Sequence, residues 1–184
     1  MIGKVYSAAV TGIYAVPVEV QADVTPGIPY FELTGNLAGT TKEAKERVRI
    51  AIKNSKFQIN PSKITINMIP ANIRKEGTAY DLAVAVAVLT AVGVIAAKKV
   101  SGALFIGELG LDGGICNVSS ILPMTLCARD NGFTICYVPM GNIGEASLVT
   151  GIRVIGISSL RECVDYINNG CNCRAHVDNN IDNA

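Results

Sequence analysis

Apolar and polar residues alternate over positions 15–24, where Val16, Val18, Val20 and Ala22 are interleaved with Pro17, Glu19, Gln21 and Asp23. A period of two is the mark of a strand with one buried face. Residues 3–10, 29–34 and 63–69 read as further strands, the last with Ile64, Ile66 and Met68 on one side and its end near Pro70. Thr25-Pro26-Gly27 supplies a turn. The period becomes helical over 41–55: Ala44, Val48, Ala51 and Ile52 share one face, while Lys42, Glu46, Arg49 and Lys53 fall on the other. Thr40 and Glu43 match a capping box, in which a hydroxyl and a carboxylate satisfy the free donors of a helix start. Thr78 and Asp81 look like a second capped start, for a helix over 79–96 that is apolar on nearly every side and is therefore expected to be buried all round.

Beyond it the pattern predicts a strand at 103–109, a hairpin turn at Asp112-Gly113, and a strand at 114–118. Helices at about 119–131, 142–149 and 159–168 then alternate with strands at 133–138 and 152–156. Pro123 is tolerable only in the first turn of its helix, and Ser159 with Glu162 forms another capping box. Strands first, then alternating helices and strands, describe a mixed α/β domain over residues 1–168. Residues 169–184, rich in Asn and Asp, read as a tail or linker.

Composition narrows the class. Of 184 residues, 49% are hydrophobic and 17% charged, enough to build a core and too apolar for global disorder. Without Trp, that core must be made of Val, Ile, Leu and Ala. The longest apolar run, Leu82 to Ala97, would extend roughly 24 Å as a helix, short of a hydrocarbon core of about 30 Å. No membrane contact is expected, and no apolar leader follows Met1, so the expected location is the cytoplasm. Thiols are then reduced, and Cys116, Cys127, Cys136 and Cys163, each in an apolar run, are expected as small core residues. Cys171, Cys173 and His176 offer three soft ligands at unusual spacing, where structural zinc takes four, so no metal site is expected.

A net charge of +1 excludes a surface that attracts nucleic acid everywhere. Locally, Lys42, Lys45, Arg47, Arg49 and Lys53 gather on one helix, and Arg74 and Lys75 precede the next. Lys42, Lys45, Arg49, Lys53, Arg74 and Lys75 are the candidate contacts to a phosphate backbone. The competing reading is a solvated, salt-bridged face, since Glu43 and Arg47 form an i,i+4 pair and Glu46 lies among the cations. No aromatic residues interleave the basic ones, so base stacking is not signalled.

The runs Lys42-Glu43-Ala44-Lys45-Glu46-Arg47-Val48-Arg49, Ala51-Ile52-Lys53-Asn54-Ser55, Ile64-Thr65-Ile66-Asn67, Pro70-Ala71, Lys75-Glu76-Gly77 and Tyr80-Asp81-Leu82 resemble the N-terminal domain of the magnesium-chelatase-like, ComM-type AAA+ ATPases. Gly107-Glu108-Leu109-Gly110-Leu111-Asp112-Gly113 is similar to a second block of that domain. The resemblance covers about residues 3–168 and marks Lys75, Glu76, Gly77, Tyr80, Asp81, Gly107, Glu108 and Gly113 as motif positions. It implies a mixed α/β sandwich similar to the Lon proteolytic domain and to the second domain of ribosomal protein S5, a domain type that RadA recombination proteins also carry. It further implies an accessory domain beside an AAA+ module of the same polypeptide, in a homo-oligomeric ring that acts on DNA in recombination, branch migration and natural transformation. ATP and magnesium would then belong to that module and not to this chain. One departure stands out: where the family has a Gly-Leu-Pro-like loop before the first helix, this chain has Gly35-Asn36-Leu37-Ala38-Gly39.

Similarity to Lon raises peptidase chemistry, which needs a Ser nucleophile and a Lys base. The matching positions are Ala79 and Leu122, and residues 116–131 contain no Lys. A phosphate-binding G-x-x-x-x-G-K-[ST] loop is also absent from the sequence: the cluster Gly107, Gly110, Gly113 and Gly114 has no neighbouring Lys. Thr78 and Asp81 are expected to cap a helix, and Glu108 has no carboxylate partner nearby in sequence for acid–base work. The sequence therefore predicts no catalytic residue and no cofactor in this chain. An assembly module without a DNA role is the alternative, and a serine peptidase the less favoured one.

Overall fold

A computed structural model describes residues 1–170 and the backbone of 176–178. In chain order its elements are β1 (Ile2–Thr11), β2 (Tyr14–Pro26), β3 (Tyr30–Thr34), α1 (Gly39–Lys42), α2 (Ala44–Asn54), β4 (Ser62–Ile69), α3 (Asp81–Ala91), α4 (Ala97–Val100), β5 (Ala103–Phe105), β6 (Glu108–Leu109), β7 (Ile115–Cys116), α5 (Ile121–Asp130), β8 (Ile135–Pro139), α6 (Ile143–Ala146), β9 (Arg153–Ile157), α7 (Leu160–Asn169) and β10 (His176–Asp178). The main sheet runs β10-β9-β8-β5-β1-β2-β4-β3. Strands β9, β8, β5 and β1 are mutually parallel; β2 is antiparallel to both β1 and β4, and β3 joins β4 in parallel. This is the mixed α/β architecture that the sequence predicts.

Strand alternation sorts the core onto two faces. Val5, Ala9, Val18, Val20, Phe105, Tyr137 and Ile155 face one way, against α2, α3 and α7. Ala8, Leu104, Cys136, Val138 and Val154 face the other way, against α5 and the segment after α6. Helices thus cover both faces over the parallel strands, as parallel sheets require. All eleven residues of α3 are buried, as expected for a helix apolar on every side. It packs so closely on β1 that a Cβ added at Gly3 would sit 2.0 Å from the Ala87 carbonyl oxygen, so only glycine fits there. No helix among the described residues is long and apolar enough to cross a membrane.

Local chemistry explains most boundaries. The Ser159 hydroxyl accepts from Glu162 N at 3.1 Å, and the Glu162 carboxylate reaches back to Ser158 N at 2.7 Å, so α7 opens on the predicted box. Pro123 lies in the first turn of α5. Gly113, at φ +88°, completes the β6–β7 hairpin, with Gly114 N donating to the Asp112 carboxylate at 2.9 Å. The other two predicted boxes do not form. α1 and α2 are separate helices without side-chain caps, and Tyr80, not Thr78, precedes α3. The expected strand 103–109 divides into β5 and β6, because Gly107 turns its carbonyl to Leu82 N (3.0 Å) and its N–H to Ala79 O (2.9 Å). Cys127, Cys136 and Cys163 are buried free thiols, but Cys116 on β7 is exposed, a correction to its expected core position. Burial pushes the Cys127 and Cys136 thiols up to about 11 and about 12. Within the segment expected as tail or linker, residues 176–178 pair with β9. The Cys171, Cys173 and His176 side chains lie outside the described residues.

Candidate functional site

The two motif blocks meet at the start of α3. Asp81, fully buried, accepts from Arg47 Nε at 2.7 Å and from Arg47 Nη2 at 3.0 Å, a bidentate pair between α2 and α3. Leu109 N adds a bond to Asp81 Oδ2 at 3.2 Å. Arg47 also donates to the Thr40 carbonyl at 3.2 Å, and Glu43 lies 3.8 Å away. The predicted i,i+4 pair therefore exists, but the shorter bonds of Arg47 run across the fold. Burial pushes the Asp81 carboxyl up, and the bonds from Arg47 and Leu109 pull it back; Asp81 in turn raises Arg47. The expected capping role of Asp81 is replaced by this cross-link, which ties one helix and the β6–β7 hairpin to the central helix.

Lys75 corrects the sequence reading most sharply. Its side chain is fully buried, and its ammonium donates to the carbonyls of Gly35 (2.8 Å), Met68 (3.3 Å) and Pro70. Three donors meet three acceptors, leaving nothing for a phosphate. Its backbone bridges the loop of residues 35–39: Lys75 N donates to Asn36 O at 3.0 Å, and the Lys75 carbonyl accepts from Ala38 N at 2.9 Å. The buried Thr41 hydroxyl lies within bonding distance of the Lys75 and Gly77 carbonyls, at 3.0 and 2.9 Å. Loss of water around Lys75 lowers its pKa. Tyr80, also buried, has its phenol pushed up to about 12. Lysine, arginine, aspartate and threonine thus form one internal clasp.

Beside the clasp lies a shallow cleft of about 400 Å³, between residues 76–80 with Glu108 on one side and residues 117–120 with Met124 on the other. Thr78 donates a short hydrogen bond to Glu108 Oε2 rather than capping α3. Ala79, which the resemblance to Lon sets at the expected nucleophile position, is buried at the cleft wall.

A family model described as subunit ChlI of Mg-chelatase matches residues 20–142. The chain belongs to that family. Among curated proteins, one of Mycobacterium tuberculosis, described as uncharacterized, is 36% identical over 166 residues, which is 90% of this chain and 33% of the relative. Competence protein ComM of Haemophilus influenzae is 33% identical over 164 residues, 89% of this chain and 32% of ComM. DNA repair protein RadA of Listeria monocytogenes is 27% identical over 173 residues, 88% of this chain and 35% of RadA. The chain thus spans about a third of the length of the curated relatives it matches.

In this ChlI-family chain the other candidate residues scatter around the clasp. Lys42, Lys45, Arg49 and Lys53 are exposed along α1 and α2, and Arg74 is exposed in the loop before Lys75. Arg49 pairs with Glu46 at 2.9 Å and Arg74 with Glu76 at 3.0 Å, so the salt-bridged reading describes part of this face. Among the motif positions, Lys75, Tyr80, Asp81, Gly107 and Gly113 are buried, Glu108 is half-buried, and Glu76 and Gly77 are exposed at the cleft. From the sequence Arg47 is expected only as one cation of the exposed helix stretch and as the partner of Glu43, and Thr41 is not signalled at all. Their partners lie 34 to 36 positions away, beyond the reach of any local pattern.

Proposed function

We propose that this chain is a non-catalytic accessory domain of a magnesium-chelatase-like, ComM-type AAA+ motor, which helps its ring assemble or engage DNA. One observation carries the reading: at the two motif blocks, Arg47, Asp81 and Lys75 are engaged in internal bonds, and Ala79 stands where a peptidase would have its nucleophile. The relatives' extra length supports the motor as a further module of the same polypeptide. ATP and magnesium would bind there, in the cytoplasm. Phosphate release, or peptide cleavage lost on Thr78→Ala, by the purified chain would overturn the non-catalytic reading.

The names ComM and RadA, one a competence protein and one a DNA repair protein, support a DNA-linked parent. On this chain the contacts would come from exposed Lys42, Lys45 and Lys53, joined by Arg49 and Arg74. Their surface ion pairs are worth only about 0–1 kcal/mol and readily exchange for phosphate. Binding of labelled duplex and branched DNA should fall steeply with salt and be lost in a Lys45→Glu, Arg49→Glu variant. A chain that binds no DNA at low salt would instead act in assembly alone. That second reading is favoured by the β1–β2 hairpin tip, where Ile13 and Tyr14 are 79% and 73% exposed.

A further inference from the structure

The cleft beside the clasp has the features of a receptor for a cation. Its polar lining is Glu76, Thr78, Glu108, Asn117, Ser119 and Ser120; no lysine or arginine lines it. Val10, Ala79 and Met124 add apolar surface suited to an aliphatic stem. Glu108 accepts from Thr78 through Oε2, and no described residue donates to its Oε1. Arg47, the cation whose field reaches Glu108, is turned to Asp81 and does not form an ion pair with Glu108. The Glu108 carboxylate is therefore stabilised by one hydroxyl and has no bonded counter-ion among the described residues, while Glu76 is held in an exposed pair with Arg74, which does not line the cleft.

The opposite wall is built to hold its shape. The buried Asn142 side chain accepts from Val118 N at 2.9 Å and donates to Val118 O at 3.0 Å, clamping the loop backbone from both sides. Asn117 lies so close to Gly141 that a Cβ there would meet its side-chain oxygen at 2.2 Å. Ser120 is held at φ +61°, a conformation costly for a non-glycine residue and kept only where the surroundings impose it. A cleft of this size lies at the low end of small-ligand sites, about 300–1,000 Å³, and suits one side chain better than a large cofactor.

We infer that this cleft binds an arginine side chain presented by a polypeptide. The guanidinium fork would donate to Glu108 Oε1 and to hydroxyls on the 117–120 wall, while its methylene stem covers the apolar surface. The inference is separable from the DNA reading, because it rests on Glu108 and the 117–120 wall, which are not among the residues proposed to meet phosphate; the two sets touch only at the exposed Arg74–Glu76 pair.

The test is an amide-resolved NMR titration of the purified chain with acetyl-Gly-Arg-Gly-amide, using acetyl-Gly-Gln-Gly-amide and spermidine as controls. The arginine peptide should shift residues 76–80, 108 and 117–120 saturably, and the glutamine peptide should not. Glu108→Gln keeps an acceptor for Thr78 and should weaken binding by about tenfold or more with little change in melting temperature. Ser119→Trp, on the exposed lip, should block the cleft and serves if Glu108→Gln fails to fold. Equal shifts from both peptides, shifts mapping elsewhere, or full affinity in the folded Glu108→Gln or Ser119→Trp variant would overturn the site. Spermidine binding as tightly as the peptide would overturn its assignment to a polypeptide.

Discussion

Two positively charged regions lie within forty residues of each other and do opposite things. On the solvent side of α1 and α2, Lys42, Lys45, Arg49 and Lys53 stand in water, their charges screened and their pairings loose. Beneath that surface, Arg47 and Lys75 are bonded to Asp81 and to backbone carbonyls, where each unmet group carries a desolvation penalty. The same residue types are thus replaceable on one side and indispensable on the other. Surroundings, not sign or spacing, decide whether a cation holds the fold or remains open to a partner.

The comparison breaks most visibly at Asp81. Asp81→Ala strands Arg47 and the Leu109 amide, and should cost roughly 3–5 kcal/mol in urea unfolding, the range for breaking a buried ion pair. A loss below about 1 kcal/mol would mean that the clasp does not hold the domain together. Lys75→Met leaves three carbonyls without their donor and should cost about 2–4 kcal/mol. Because burial places the folded-state pKa of Lys75 below its ordinary 10.5, the unfolded chain holds more protons between those two values. The contribution of Lys75 to stability therefore rises with pH through that window. The gap between wild type and Lys75→Met should widen as pH climbs towards 10.5, whereas parallel curves would contradict a lowered pKa for Lys75 in the folded state. A finer contrast is available at adjacent threonines. Thr41→Val, which removes the bond to the Lys75 and Gly77 carbonyls, should cost about 1–2 kcal/mol, while Thr40→Val, at a hydroxyl without a capping role, should cost far less. Equal losses in a thermal-melt pair would restore the capping box. Smallest of all, Arg49→Glu should change stability by less than about 0.5 kcal/mol, so that any loss of DNA binding reports contact and not unfolding.

The strands and the buried helix were legible because a period of two and an unbroken apolar run follow directly from burial on one face or on all. α7 was legible at its cap because Ser159 and Glu162 bond within a single turn. The boxes at Thr40 and Thr78 were misread for a related reason. A hydroxyl and a carboxylate three residues apart fit a cap, yet Thr78 turns to Glu108 and Asp81 to Arg47, partners that only the folded chain supplies. Lys75 looked like its exposed neighbour Arg74, because nothing local signals that the carbonyls of Gly35, Met68 and Pro70 converge on one point. The resemblance marked Lys75, Asp81 and Glu108 without saying what each one does.

The complete enclosure of α3 also governs how the molecule opens in time. A helix in which all eleven residues are buried has no face from which solvent can enter by local fraying. Its central amides, from Ala85 to Leu89, should exchange hydrogen for deuterium only when the whole domain unfolds. Their exchange rate then serves as a clock for global opening. The exposed β1–β2 hairpin tip can open on a faster scale without disturbing it.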